Sequence, residues 1–374
     1  MAGVRCAAMA PPGAIVRYSR FTHMVVPWAD PLEDPAAFVE ELLRFAARQS
    51  RPPVLFCGGD WDLLAVSRAR DRLADAFRFL LPSAELVEDL VDKARFSALT
   101  DRLGLPSPRT QVLRAGLSRP PALGLPFPVL LKPLTRLDVR WAVVAGEAKA
   151  LEVRTDEALA AAWPRVARSG LDVLVQELVP GPEERIESYH AFVDADGRIA
   201  AEFTGQKLRT YPREYGHSTA VEITAATDVR DLGRDVLRAV GLRGVAKVDL
   251  KRDPGGGLHL LEVNPRFTLW NHAGAWAGVN LPAIVYADLV GRPRPPAAAV
   301  RIGVRWCDPL PDARAAAARG IPLRDWLPWV LRCEARASFM LSDPLPVVRG
   351  ALWRLRHRSW PALRRARSAP SAPA

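Results

Sequence analysis

Hydrophobic positions along the chain alternate between short apolar runs of strand character and stretches with helical spacing, which is the pattern of a mixed α/β protein. Between residues 32 and 82, Asp34 and Pro35 supply an N-cap and a first helical position, and Phe38, Leu42 and Phe45 repeat at helical intervals behind them. PVLFCGGD (53–60) reads as a strand entering a glycine turn, followed by a helix over about 60–76 and a short strand, FRFLL (77–81). Ser83 and Glu85 open a helix expected over about 84–103 and closed by Gly104, after which Pro106 and Pro108 force an extended path into TQVLRA. The strands FPVLLKP (127–133) and VLVQELV (173–179) alternate with a helix near 156–168 that starts at Thr155-Asp156. IESYHAFVDADG (186–197) and RIAAEFTGQKL (198–208) form a long hairpin hinged at Asp196-Gly197, and a helix over about 229–240 ends at Gly241. Past about 292 the cluster GRPRPPAAAV marks a boundary, beyond which the chain is tryptophan-rich and partly helical and ends in a tail of disordered composition.

With 374 residues and 49% hydrophobic content, two or three domains are expected. Cys6, Cys57, Cys307 and Cys333 stand far apart with no His at metal-ligand spacing, so neither a zinc site nor a disulfide framework is indicated. The first residues lack a sustained apolar core, and nowhere does an uninterrupted apolar run of about 18 residues occur, so a soluble, cytoplasmic protein without stable membrane insertion is expected. The net charge of +11 comes from arginines spread along the chain and thickened at its C-terminus. That distribution does not single out a nucleic-acid partner. Only six of the 52 basic residues are lysine, and three of these, Lys93, Lys132 and Lys207, fall in motif-bearing segments. A lysine retained in an arginine-rich chain suits a compact point charge, as at a phosphate.

The strands AKVDLKRD and LHLLEVNP are separated by Pro254-Gly255-Gly256-Gly257. Paired as a hairpin centred between Gly255 and Gly256, they set Asp249 directly opposite Glu262, with Asn264 on the face of Glu262. Like charges at such a position, with Cβ atoms about 5 Å apart, repel. A Mg ion offsets this naturally, since it takes hard oxygen ligands and is held by one or two carboxylates together with phosphates. Leu250, Leu261 and Val263 are then expected to face the core. The other reading of the trio, a hairpin whose acids point into water, is disfavoured by the register match and by Pro265-Arg266 alongside.

LEVNPRF after KVDL, preceded by FPVLLKP and VLVQELVPG, resembles the ATP-grasp superfamily, in particular its carbamoyl-phosphate-synthetase-like and predicted carboligase branch. The resemblance runs over about 84–291, with four motifs in the family's order. It implies an α/β (α+β) ATP-grasp fold over 84–291. Residues 1–83 would then be a shortened N-terminal α/β domain, either lacking its first βα unit or read from a misassigned start, and 292–374 a partly helical C-terminal region. It implies ATP with Mg, or Mn in its place, as cofactors. Lys93 and Lys132 would reach the phosphates, Gln176, Glu177 and Val179 would frame the adenine, and Glu183 would hold the ribose, with Glu184 as a competitor. Asp249, Glu262 and Asn264 would ligate the metal, and Arg266 would contact the transferring phosphate. The family's glycine-rich phosphate loop is not evident in TRLDVRWAVVAGEAKA, which has one glycine, Gly146.

GQKLRTYPREYGHST (205–219) offers Lys207 and Arg209 as a pair to hold a carboxylate substrate or a developing acyl phosphate, against the alternative of a solvated basic loop. Asn271 and His272 are read as acceptor-pocket or core residues, and Cys57 as core. The basic run from Arg354 to Arg367, with Trp353 and Trp360, is read as a surface helix and tail rather than a membrane or nucleic-acid site. The function so implied is ATP-dependent ligation of a small carboxylate to an amine, with a homodimer left open. A carbamoyl-phosphate-type kinase, an ATP-binding module without turnover and a basic surface-binding protein are the rivals.

Overall fold

From the N-terminus, alternating apolar residues pair two parallel strands, β1 (Cys6–Met9) and β2 (Thr22–Val26), followed by α1 (Pro35–Ala46), α2 (Asp60–Arg68) and the short α3 (Arg70–Leu73). The computed structural model describes residues 4–134, 139–146, 148–296, 299–337 and 342–356. Asp34 caps α1 by accepting from the Ala37 amide at 2.9 Å, and Phe38, Val39 and Leu42 bury against Leu63, Val66 and Phe77. Cys57 lies in the same core, where burial pushes its thiol pKa well up. Helical structure over 60–76 breaks at Ala69, whose φ of −102° and ψ of 16° end α2. The strands expected at 53–60 and 77–81 reduce to one parallel bridge, Val54 to Arg78. Pro52 and Pro53 have no amide to extend the ladder on that side.

The single helix expected over 84–103 is two, α4 (Ala84–Val91) and α5 (Lys93–Arg102). Asp92 adopts extended backbone between them, and its carboxylate accepts from the amides of Ala94 and Arg95, both at 2.9 Å. It is therefore a second N-cap inside an apolar helical stripe, a local preference that outweighs the continuous periodicity. The break puts Lys93 in the first turn of α5.

A four-stranded antiparallel sheet follows, built from β3 (Thr110–Leu113), β4 (Val129–Pro133), β5 (Leu151–Val153) and β6 (Val173–Glu177) in the order β3-β6-β4-β5. The short α6 (Ala142–Ala145) and α7 (Asp156–Ser169) cover one face of it. Thr155 caps α7, and Gly170, with φ +64°, closes it in the left-handed region. Trp163 is 2% exposed at the centre of this core, and its indole N–H donates to the Leu117 carbonyl at 2.8 Å.

The larger sheet has seven strands in the order β11-β10-β7-β8-β9-β12-β13. These are β7 (Ile186–Val193), β8 (Ile199–Tyr211), β9 (His217–Thr224), β10 (Gly244–Arg252), β11 (Leu258–Asn264), β12 (Arg305–Cys307) and β13 (Ala335–Arg336). The β7–β8 turn comes at the expected place, with Gly197 at φ +86°. On one face Tyr189, Val248 and Leu250 pack under α8 (Thr227–Ala239), α4 and α5. On the other, Phe192, Phe203 and Ile223 pack under α9 (Trp270–Trp276) and α10 (Leu281–Leu289). The chain beyond the proline cluster adds β12 and β13 to the edge of this same sheet, with α11 (Pro309–Ala318) and α12 (Leu323–Arg332) between them and α13 (Leu345–Arg356) following.

Because Trp163 fills the small sheet's core, Trp163→Ala is expected to cost about 3–5 kcal/mol. A thermal or urea unfolding curve unchanged in midpoint would contradict that placement.

Candidate active site

The β10–β11 hairpin brings Asp249 opposite Glu262, as its sequence suggests, but by a different route. Nearest the turn the pairs are Arg252 with Leu258, Lys251 with His259 and Leu250 with Leu260, so the hairpin is centred on Gly255. A register shift between Asp249 and Leu250 inserts Leu261 as an extra residue, and only beyond it do Asp249–Glu262 and Lys247–Asn264 pair. This bulge also corrects the expected placement of Leu261. Leu260 takes the core position, fully buried beside Leu250 and Val263, while Leu261 turns into the cleft.

Asp249 is only 3% exposed. Its Oδ2 accepts from Lys247 Nζ at 2.6 Å, and Ser188 donates its hydroxyl to Oδ1. The carboxylate repulsion that a Mg ion was expected to offset is thus already offset in part by a buried lysine. Glu262 Oε1 accepts from Asn264 Nδ2 at 3.1 Å, and Asn264 Oδ1 accepts from Arg266 Nη2 at 3.2 Å. Among the described residues no group of three or more His, Cys, Asp or Glu converges as a metal cage. Two carboxylates and an amide oxygen on a cleft wall fit Mg all the same, because Mg shares its shell with waters and phosphates.

These residues form one wall of a cleft of about 430 Å³ between the two sheets. Lys132 stands on the other wall, on β4, and its Nζ donates to Gln176 Oε1 at 2.6 Å. Burial, with the Lys93 ammonium adding repulsion, pushes the Lys132 pKa down to about 8, against the attraction of Glu262. Lys93 Nζ donates to the Pro133 carbonyl at 2.8 Å, which ties the start of α5 to the end of β4. Glu177 and Val179 border the cleft where β6 leaves the sheet, and the Glu177 carboxylate is 3.2 Å from Arg109 Nε. Glu183 also faces the cleft: its Oε1 accepts from the Tyr215 amide at 2.6 Å, while Oε2 is buried without a hydrogen-bond partner. Glu184 turns away to pair with Arg319, so of the two adjacent acids it is Glu183 that lines the cleft.

Lys207 lines the cleft, but Arg209 does not, so the expected Lys207–Arg209 pair is a correction. Residues two apart on a strand share a face, yet the β8–β9 register shifts between Lys207 and Arg209, with Leu208 as the extra residue. Arg209 is sent to the opposite side, where it makes a two-pronged pair with the fully buried Asp312 at 2.8 and 2.7 Å and lies 3.9 Å from the Trp329 ring centre. Arg266 lies just outside the cleft lining, bonded to Asp60 and Asn264 and 10% exposed along its side chain. Asn271 caps Thr268 and is buried, and His272 accepts from the Trp276 indole at 3.2 Å. Neither lines the cleft. The segment in which the family's phosphate loop is not evident falls partly outside the described residues, at 135–138 and 147; of its described residues, Trp141, Ala142, Gly146 and Ala148 to Ala150 border the cleft.

Sequence reasoning missed Lys149, Lys247, Lys251 and Tyr215. Lys149 donates to the Gly216 carbonyl at 2.8 Å, and the Tyr215 hydroxyl donates to Glu152 at 2.8 Å, so the β8–β9 loop is fastened to the small sheet. Burial lowers the pKa of Lys251, against the attraction of Glu183. All six lysines of the chain border the cleft or, for Lys247, hold its aspartate. Lysine scarcity was the signal that would have found the remaining three.

Two measurements test these placements. Arg209→Ala would leave the Asp312 carboxylate buried without its cation and is expected to cost about 3–5 kcal/mol of stability while nucleotide affinity stays level; lost affinity in a variant of normal stability would return Arg209 to the site. For Lys132, the folded value near 8 lies below the ordinary 10.5, so the unfolded chain holds more protons in that window. This group therefore makes the nucleotide-free chain more stable as pH rises from 8 towards 10.5, a gain that Lys132→Met should abolish in a Tm-against-pH series. If Lys132 meets a phosphate, only its charged form binds, and nucleotide affinity should instead fall above pH 8, by up to about tenfold per unit.

A family profile described as "ATP-grasp in the biosynthetic pathway with Ter operon" matches residues 172–308, the span from β6 to β12. The D-aspartate ligase of Enterococcus faecium is 26% identical over 74% of this chain and 68% of its own length. The D-alanine–D-alanine ligase of Ectopseudomonas mendocina is 29% identical over 53% of this chain and 64% of its own length, so the chain spans less than two thirds of that relative. Among solved structures, a biotin carboxylase from Campylobacter jejuni superposes with a TM-score of 0.58 at 14% identity, covering 80% of this chain and 68% of that one, a likeness of fold.

Proposed function

The chain belongs to the ATP-grasp superfamily, and we propose that it is a Mg-ATP-dependent ligase that activates a carboxylate as an acyl phosphate and joins it to an amine. The observation that carries this reading is the single cleft in which the Asp249–Glu262 pair and the buried Lys132 stand on facing walls. The lining offers oxygens for a metal, cations for phosphates, and a buried carboxylate oxygen without a hydrogen-bond partner, Glu183 Oε2, suited to a ribose hydroxyl.

In this reading residues 84–291 form the catalytic domain. Gln176, Glu177 and Val179 frame the adenine, with Leu261 as an apolar surface for it. Glu183, held in place through the Tyr215 amide, takes the ribose. Lys93 and Lys132 neutralise the phosphates, and Lys132 is kept in position by Gln176. Asp249, Glu262 and Asn264 would hold Mg, which when bound screens the phosphate charge and polarises the transferring group. Arg266, steered by Asp60 and Asn264, adds a cation beside that group, and Lys207 orients the substrate carboxylate. The carboxylate oxygen takes the γ-phosphoryl group as ADP leaves, and an amine then displaces phosphate to give an amide. Positioning and charge carry the rate, so no covalent protein nucleophile is called for.

The curated relatives named above carry D-aspartate and D-alanine in their names, so amino acids and small dicarboxylates head the substrate screen. ADP release with Mg-ATP should require both an acid and an amine, and Glu262→Gln should lower turnover by about a hundredfold or more. Unchanged turnover in that variant would remove the metal assignment, and ADP release without an acceptor would replace the ligase with a carboxylate kinase.

A further inference from the structure

The inner side of α13 is seated on the N-terminal segment: Trp353 packs so closely over Gly13 that a Cβ there would stand 2.2 Å from the indole, and Gly350 abuts Ile15. Ser19 and Arg20 clasp Asp343 just before the helix, the Arg20 amide at 3.2 Å. That seating sends Leu345, Val348, Leu352 and Leu355 outward, exposed by 44%, 53%, 47% and 56%. Their spacing of three, four and three residues lines them up along one helix face, with the exposed Arg349 and Arg356 beside them. An apolar stripe normally faces the core; here it faces solvent.

Charge selects the occupant. From Pro344 to Ala374 the chain has no acidic residue but seven arginines, at 349, 354, 356, 358, 364, 365 and 367. A second copy would bring the same cations against the stripe, which disfavours a self-interface. An anionic lipid surface answers both features at once, taking leucines into the acyl boundary and arginines at the headgroups. We propose that α13 docks this protein on an anionic bilayer surface, with its Leu345–Leu355 stripe lying in the interface plane. Among the described residues no helix is long and apolar enough to cross a membrane, so attachment is peripheral and salt-sensitive.

The test is co-sedimentation of the full chain with vesicles of phosphatidylcholine alone or with phosphatidylglycerol added, at low and high salt. Retention is expected on the anionic vesicles only, weakened by salt, and weakened about tenfold or more in L352E/L355E. Both positions are exposed, so the variant should keep its circular dichroism and its Mg-ATP response. Retention unaffected by L352E/L355E would mean that the arginines adsorb without the stripe and would overturn the proposal. No retention on anionic vesicles, a preference for duplex DNA over them, or a dimer in solution that L352E/L355E dissociates would overturn it equally.

Discussion

Two carboxylates held face to face across a β-hairpin set the terms for the cleft around them. At the separation of a cross-strand pair, Asp249 and Glu262 repel each other, and buried Asp249 has lost much of the water that would screen it. The fold answers with cations at graded distance. Lys247 lies against Asp249 on the same strand, and Lys132 is felt by Glu262 from the opposite wall. Burial lowers the pKa values of Lys132, Lys247 and Lys251, and repulsion from neighbouring lysines, Lys207 in all three cases, adds to it. The cleft wall is therefore a balance of unlike charges set by the fold itself.

That balance depends on two irregularities. The extra residue at Leu261 lets one strand serve a turn centred on Gly255 and still align Asp249 with Glu262. The extra residue at Leu208 leaves Lys207 in the cleft and sends Arg209 to Asp312. Bulges of this kind re-aim side chains at the edge of a site without disturbing the sheet behind it. The second also has a structural return, since Asp312 accepts from Arg209, Thr219 and the Trp326 indole and so anchors α11 and α12 to the large sheet.

The same economy is visible between the sheets. The loop between β8 and β9 reaches across to the small sheet through Tyr215 and Lys149, and the backbone of Tyr215 positions Glu183. A residue that looks like part of a basic loop in sequence thus holds Glu183 at the cleft, through contacts more than 30 residues away along the chain.

Several features were legible in the sequence because they depend on local chemistry. The caps at Asp34, Ser83 and Thr155, the turn at Gly197 and the pairing of Asp249 with Glu262 follow from side chains acting on their own neighbourhood. So does the value of lysine in an arginine-rich chain. Tertiary structure decided what local rules leave open. A bulge costs one residue and has no strong residue signature, so the facings of Leu261 and Arg209 were settled only by the strands they pair with. The break at Asp92 arose where two local preferences competed, a cap against a continuous apolar stripe. The partners of Lys149 and of the Tyr215 hydroxyl are brought together by packing of the two sheets, a long-range energy that no window of sequence contains.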